Sequence, residues 1–108
     1  MEQTSSPGTN AAQGDSRLEV SRTESSYLLD VEGQRAGFAD FLDRGEVRDF
    51  NHTVVFPEFR GRGLSAPLIE GALQDTRRAG LKVRPTCSAV ARFIEGNPEY
   101  QDLVVQEG

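Results

Sequence analysis

Pro67 constrains this chain more than any other residue. It stands near the start of a run in which Leu64, Leu68, Ile69, Ala72, Leu73, Thr76 and Ala79 recur at helical spacing, while Glu70, Gln74, Asp75, Arg77 and Arg78 face away. A proline is tolerated only in the first turn of a helix, where its missing N–H would have had no partner anyway. The helix must therefore begin within a few residues before Pro67, directly against Arg60-Gly61-Arg62-Gly63. Gly80 supplies its C-terminal stop.

That junction is a physical device. Glycines permit positive φ and let a ligand approach with no Cβ in the way. The first N–H groups of a helix lack internal acceptors and carry partial positive charge. Together they form an anion cradle suited to phosphate, and Arg60 and Arg62 add full charges at its mouth. The plainer reading is an ordinary strand-to-helix turn with solvent-facing arginines. The run is not a Walker loop, since no Gly-Lys-Ser/Thr follows. It is not a dinucleotide fingerprint either, since position 66 is Ala.

Upstream, the pattern is that of strands. Leu18 and Val20 alternate with polar neighbours over 17–23, residues 26–32 form a second short strand, and Gly33-Gln34 turns into a third around Phe38. Asp43-Arg44-Gly45 leads into a longer strand at 46–56, rich in β-branched and aromatic residues. Strict alternation puts Phe50, His52, Val54 and Phe56 on one face and Val47, Asn51, Thr53 and Val55 on the other. Pro57 ends it. After the helix comes a strand at 81–86, then a short helix over 88–94 with Val90, Ala91, Phe93 and Ile94 inward. Gly96-Asn97-Pro98 breaks that helix, and a last turn or short helix follows at 99–104. The order β-β-β-β-α-β-α predicts an α+β domain with a mixed, mostly antiparallel sheet over 17–106. Residues 1–16 are polar with only Met1, Ala11 and Ala12 apolar, and read as a disordered tail.

Composition bounds the function. The chain's 108 residues suit one domain. A net charge of −5 argues against a general nucleic-acid binder. Residues 60–84 nevertheless hold six basic and two acidic side chains, so that window is +4 and the rest of the chain −9. A locally basic segment on an acidic chain suggests a small anionic ligand. For Arg77, Arg78 and Lys82 the alternative is simple complementarity to the helix dipole. One Cys and one His exclude an internal disulfide and leave too few ligands for a Cys/His zinc site. No apolar run suits a membrane span, the start does not read as a secretory signal, and a reducing, cytoplasmic setting fits.

The run His52-Thr53-Val54-Val55-Phe56-Pro57-Glu58-Phe59-Arg60-Gly61-Arg62-Gly63-Leu64 resembles the acyl-CoA-binding segment of the GNAT superfamily of N-acetyltransferases, with its Arg/Gln-x-x-Gly-x-Gly/Ala loop. Arg60 and Gly63 match, and Ser65 replaces the usual Gly or Ala. His52-Thr53, Pro85-Thr86-Cys87-Ser88 and Pro98-Glu99-Tyr100 resemble the short, stand-alone acetyltransferase-like group within it. The resemblance covers about residues 17–105. It implies acetyl-CoA between splayed strands 46–56 and 81–86, its pantetheine arm against backbone at Val54 and Val55. Its pyrophosphate would lie on the N–H groups of Gly61, Arg62, Gly63, Leu64 and Ser65. It also implies an acceptor side that is short, open or shared with a partner.

The implied reaction is direct attack of an amine on a thioester, which needs a neutral amine and a donor for the carbonyl oxygen. A backbone N–H near Val55 is the family-like donor. His52, the single imidazole, is either a base or a structural residue. Cys87 is an acyl acceptor, part of the pocket lining, or a small core residue. A pairing of His52 with Cys87 across the strands is open on spacing alone. Glu58 reads as ordering Arg60 or Arg62 rather than as a base. The expected activity is acetyl-CoA-dependent N-acetyl transfer to an amine. The alternatives are a CoA-binding or acyl-sensing module with little turnover, and a phosphate-ligand or partner-binding domain.

Overall fold

Residues 17–106 are described by a computed structural model of the chain, and the expected tail at 1–16 lies outside them. Four strands, β1 (Leu18–Arg22), β2 (Ser26–Val31), β3 (Gln34–Arg44) and β4 (Val47–Val55), form an antiparallel meander. A 3-10 turn at Pro57–Phe59 leads through the glycine run into α1 (Ser65–Arg78). The chain returns as β5 (Lys82–Pro85), parallel to β4, and continues into α2 (Ser88–Gly96) and a 3-10 segment at Pro98–Leu103. The sheet order is β1-β2-β3-β4-β5. The α+β architecture and element order match the sequence expectation. A parallel pair needs a crossover, and α1 is that crossover.

Several local expectations need correcting. The β2–β3 hairpin turns at Glu32-Gly33 rather than Gly33-Gln34, because a two-residue turn of this hand needs positive φ at both positions; they show +50° and +82°. The β3–β4 hairpin turns at Gly45-Glu46, with Gly45 at φ +61°, so Asp43 and Arg44 remain in β3. Ala79 is exposed, lying past the last full turn of α1.

Both helices pack on one face of the sheet. Tyr27, Leu29, Phe41, Phe50 and Val83 from the strands meet Leu68, Ile69, Ala72 and Leu73 of α1 and Val90 and Ile94 of α2 in one buried core. A buried polar tie locks the centre. Arg48 donates to both Asp43 carboxylate oxygens (2.7 and 2.9 Å) and to the Tyr27 hydroxyl (2.6 Å), and its guanidinium lies 4.3 Å from the Phe41 ring centroid. Tyr27 in turn donates to Asp75 of α1 (2.6 Å), which joins β2, β4 and the helix. No described helix covers the opposite face, where Leu28, Phe38 and Val54 stay half-buried and Leu42 is 49% exposed. No described helix is long and apolar enough to cross a membrane.

Candidate active site

The site begins with a bulge in β4. Phe41 pairs with Phe50 and Asp40 with His52, so Asn51 is an extra, unpaired residue. One extra residue reverses the alternation beyond it. Phe50 faces the core, but Thr53 and Val55, not His52 and Val54, continue that face: Thr53 meets Cys87 and Val55 packs on the core. The expectation that Phe50 shares a face with His52, Val54 and Phe56 is therefore corrected. The latter three lie on the uncovered face, where His52 and Phe56 each stand 6.0 Å from the Phe38 ring.

The bulge also coincides with the parting of two strands. Pairing between β4 and β5 ends at Phe50–Pro85, and the Cys87 N–H to Phe50 C=O bond (2.8 Å) is the last link before the chain turns into α2. Beyond it, Phe56 donates its N–H to Ala36 across β3. By alternation the backbone groups of Val55 and Thr53 point the other way, to the edge that β5 has left. The Val55 carbonyl is met there by Arg60 Nε at 3.1 Å. Its N–H is directed into the split.

A cleft of about 370 Å³ occupies this place, lined from β4 by Thr53 and Val55, from the loop by Phe59, Arg60, Gly61, Gly63, Leu64 and Ser65, and from α2 by Ala89. Gly61 and Gly63 have φ of +82° and +68°, and a Cβ built on either meets nothing within 4 Å. The backbone there needs glycine, and its surface is open to a ligand. Among the described residues, the amide groups of Gly61, Arg62, Gly63, Leu64 and Ser65 have no hydrogen-bond acceptor in the protein; the first intrahelical bond is Leu68 N–H to Leu64 C=O (3.3 Å). A row of unmatched donors at a helix start fits a diphosphate. Of the six basic side chains counted in the sequence, Arg77 is held by Asp102 (2.8 Å) and Lys82 by the Asp102 carbonyl (2.9 Å), away from the cleft. Arg60 lines the cleft, and Arg62 stacks over Phe59 at 5.3 Å. Glu58 makes no ion pair with either among the described residues, because the Val55 carbonyl and the Phe59 ring take those roles.

Cys87 is half-buried at the N-cap of α2, its Sγ 3.4 Å from Thr53 Oγ1. Burial pushes the thiol up, but the Thr53 hydroxyl and the Ala89 and Val90 N–H groups outweigh it, leaving it below the ordinary thiol range. Thr53 and His52 are sequence neighbours on opposite faces, so the structure does not bring His52 and Cys87 together. His52 is exposed beside Phe38 on the far side of the sheet. Val54 points its side chain to that side too and does not line the cleft. Thr53 and Phe59 enter the sequence reading only as members of a motif and not as cleft residues, and Ala89 does not enter it. Thr53 was hidden by the bulge, and the other two are brought in by tertiary packing alone.

A parallel strand pair that parts at a bulge, beside a glycine corner with free amides, defines the N-acyltransferase fold of the GNAT class. The chain belongs to the GCN5-related N-acetyltransferase family, whose family model matches residues 26–103. Protein NATD1 of Bos taurus is 28% identical over 100 residues, 91% of this chain and 88% of that protein. Two solved structures share the fold. One is a solution structure from Staphylococcus aureus, provisionally described as a GCN5-like N-acetyltransferase (TM-score 0.64, 22% identity, 84% of this chain and 91% of that one). The other is the ribosomal-protein-S18-alanine N-acetyltransferase of Escherichia coli (TM-score 0.55, 20% identity), with 69% of this chain matching 53% of that one.

Proposed function

We propose that this protein transfers an acetyl group from acetyl-CoA to an amine. The observation that carries the reading is the row of unmatched amides from Gly61 to Ser65 at the mouth of the β4–β5 split. In this reading those amides, with Arg60 and Arg62, hold the CoA diphosphate, and the free edge of β4 at Thr53 and Val55 holds the pantetheine arm. When bound, acetyl-CoA supplies an activated acyl group as a thioester. The Val55 N–H is the donor that meets charge developing on a carbonyl oxygen in the split. Thr53 lines the cleft and its hydroxyl meets Cys87 behind it, where a thiol held low can also accept an acyl group. His52 is a titratable side chain on the face from which an amine would approach, opposite Asp40.

A second reading, a CoA-binding or acyl-sensing module with little turnover, is favoured by one observation: no carboxylate or imidazole is among the residues lining the cleft. Two measurements separate the readings. Isothermal titration should show CoA and acetyl-CoA binding, and an amine panel should be acetylated well above the rate without protein. Binding without turnover would select the module, and no binding at millimolar CoA would overturn both. Intact mass after incubation with acetyl-CoA, for the wild type and Cys87→Ala, reads whether the thiol carries an acetyl group.

A further inference from the structure

We propose, on the reading of the cleft as an acyl-donor site, that the uncovered face of the sheet takes an aliphatic diamine as acceptor, with Asp40 holding the amino group that does not react. Thr53 and Val55 face the donor cleft, so an acceptor must reach the split from the other side. There β3 and β4 present Phe38 opposite Val54 and Asp40 opposite His52. The rings of His52 and Phe56 flank Phe38, and these groups are half-buried or exposed with no described helix above them.

Asp30, Asp43, Asp75 and Asp102 each hold an arginine, whereas Asp40 and Asp49 make no ion pair among the described residues. Asp49 accepts from Thr86 Oγ1 (2.6 Å) where β4 is still paired with β5, and Asp40 stands level with His52, beyond the end of that pairing. Its one carboxylate oxygen accepts from Ser26 Oγ, which fixes the side chain and leaves the second oxygen for a cation. The rings beside it suit the same ligand, since aromatic faces attract a cation and cover methylenes.

A carboxylate contact favours the protonated form of an amine, and attack on a thioester needs the neutral form; that attack forms the amide C–N bond as the thioester C–S bond breaks, CoA leaves as its thiolate, and the proton lost by the nitrogen goes to that thiolate or to solvent. The ammonium on Asp40 therefore serves binding, and the reacting nitrogen lies further along the strand. Asp40 is level with His52, and at about 3.3 Å per residue Val54 lies about 7 Å on, beside the unpaired edge of β4. A few methylenes span that interval across Phe38 and Val54. The chain's net charge of −5 favours the approach of a dication.

The test compares 1,4-diaminobutane with 1-aminobutane as acceptors for acetyl-CoA, in the wild type and Asp40→Asn. The wild type should show about tenfold higher kcat/KM or more for the diamine. Asp40→Asn should remove that advantage through the diamine KM and leave the KM for acetyl-CoA unchanged. Equal use of the two amines by the wild type, or an advantage that survives Asp40→Asn, overturns the proposal. An arm without turnover separates it from the transfer reading. In NMR titrations of ¹⁵N-labelled protein, 1,4-diaminobutane should shift amides at 38–40 and 52–56, and the shifts should disappear in Asp40→Asn. CoA should shift those at 60–65. No diamine response in protein that binds CoA defeats the acceptor proposal alone, and no CoA response defeats the donor reading alone.

Discussion

The two halves of β4 belong to one strand and do different work. Its first half, Val47–Phe50, is paired on both sides, by β3 and β5, and buries Arg48 and Phe50. Its second half, from His52 to Val55, is paired by β3 alone and leaves one edge beside the cleft. Asn51, the bulged residue, separates them. A single inserted residue ends the structural strand and starts a functional one, because it reverses which face and which edge each later residue addresses.

The largest break in that comparison should come from the inner half. Phe50 is 1% exposed and packs against Tyr27 and Phe41, so Phe50→Ala should lower stability by about 3–5 kcal/mol. His52→Ala, on the outer half, should cost less than about 0.5 kcal/mol. Urea denaturation of the two variants makes the comparison, and equal losses would mean that the halves are not distinct.

Gly63→Val should invert the pattern. Its positive φ puts the strain of a β-branched residue at about 1–3 kcal/mol, a smaller cost than Phe50→Ala, while CoA binding by calorimetry should be lost. Normal CoA affinity in that variant would remove the corner from the site.

The inner half is also tied to α1 through the Arg48–Tyr27–Asp75 chain. The Tyr27 hydroxyl, with Arg22 adding to it, holds the Asp75 carboxyl below the usual range despite some desolvation. A carboxyl whose folded pKa is depressed contributes stability that is full above its unfolded value, about 3.9, and is lost as pH falls through the folded one. Urea midpoints at pH 7 and pH 3 should therefore converge more in Asp75→Asn than in the wild type, with a loss of about 1 kcal/mol at pH 7. An unchanged acid dependence would show that Asp75 does not couple the strands to the helix.

The smallest effect sharpens the outer half. Thr53→Val removes the hydroxyl beside Cys87, so the thiol should rise and iodoacetamide alkylation at pH 7 should slow about threefold. His52→Asn, on the other face, should leave that rate unchanged. A slower rate in both variants would contradict the opposite placement of the two side chains.

Much of this was legible in the chain itself. Pro67 placed the start of α1, which forms at Ser65, and Gly80 its end, because both residues act through their own backbone. The glycine corner was readable for the same reason, and the order of elements along the chain followed from local periodicity and turn residues. The bulge was not readable. Nothing in Phe50-Asn51-His52 says that Asn51 will be skipped, since the skip is chosen by how β3 pairs with β4. Thr53 is therefore placed by strict alternation on the wrong face relative to Phe50.

Backbone-encoded features, namely a proline, a run of glycines and an alternation, are properties of a segment and can be determined by sequence alone. Which side of a strand meets a ligand, which cations are already spent on Asp102, and whether His52 and Cys87 meet all depend on partners distant in the chain. Only the tertiary structure decides these, because pairing register and packing are settled by the sum of contacts between segments rather than within one.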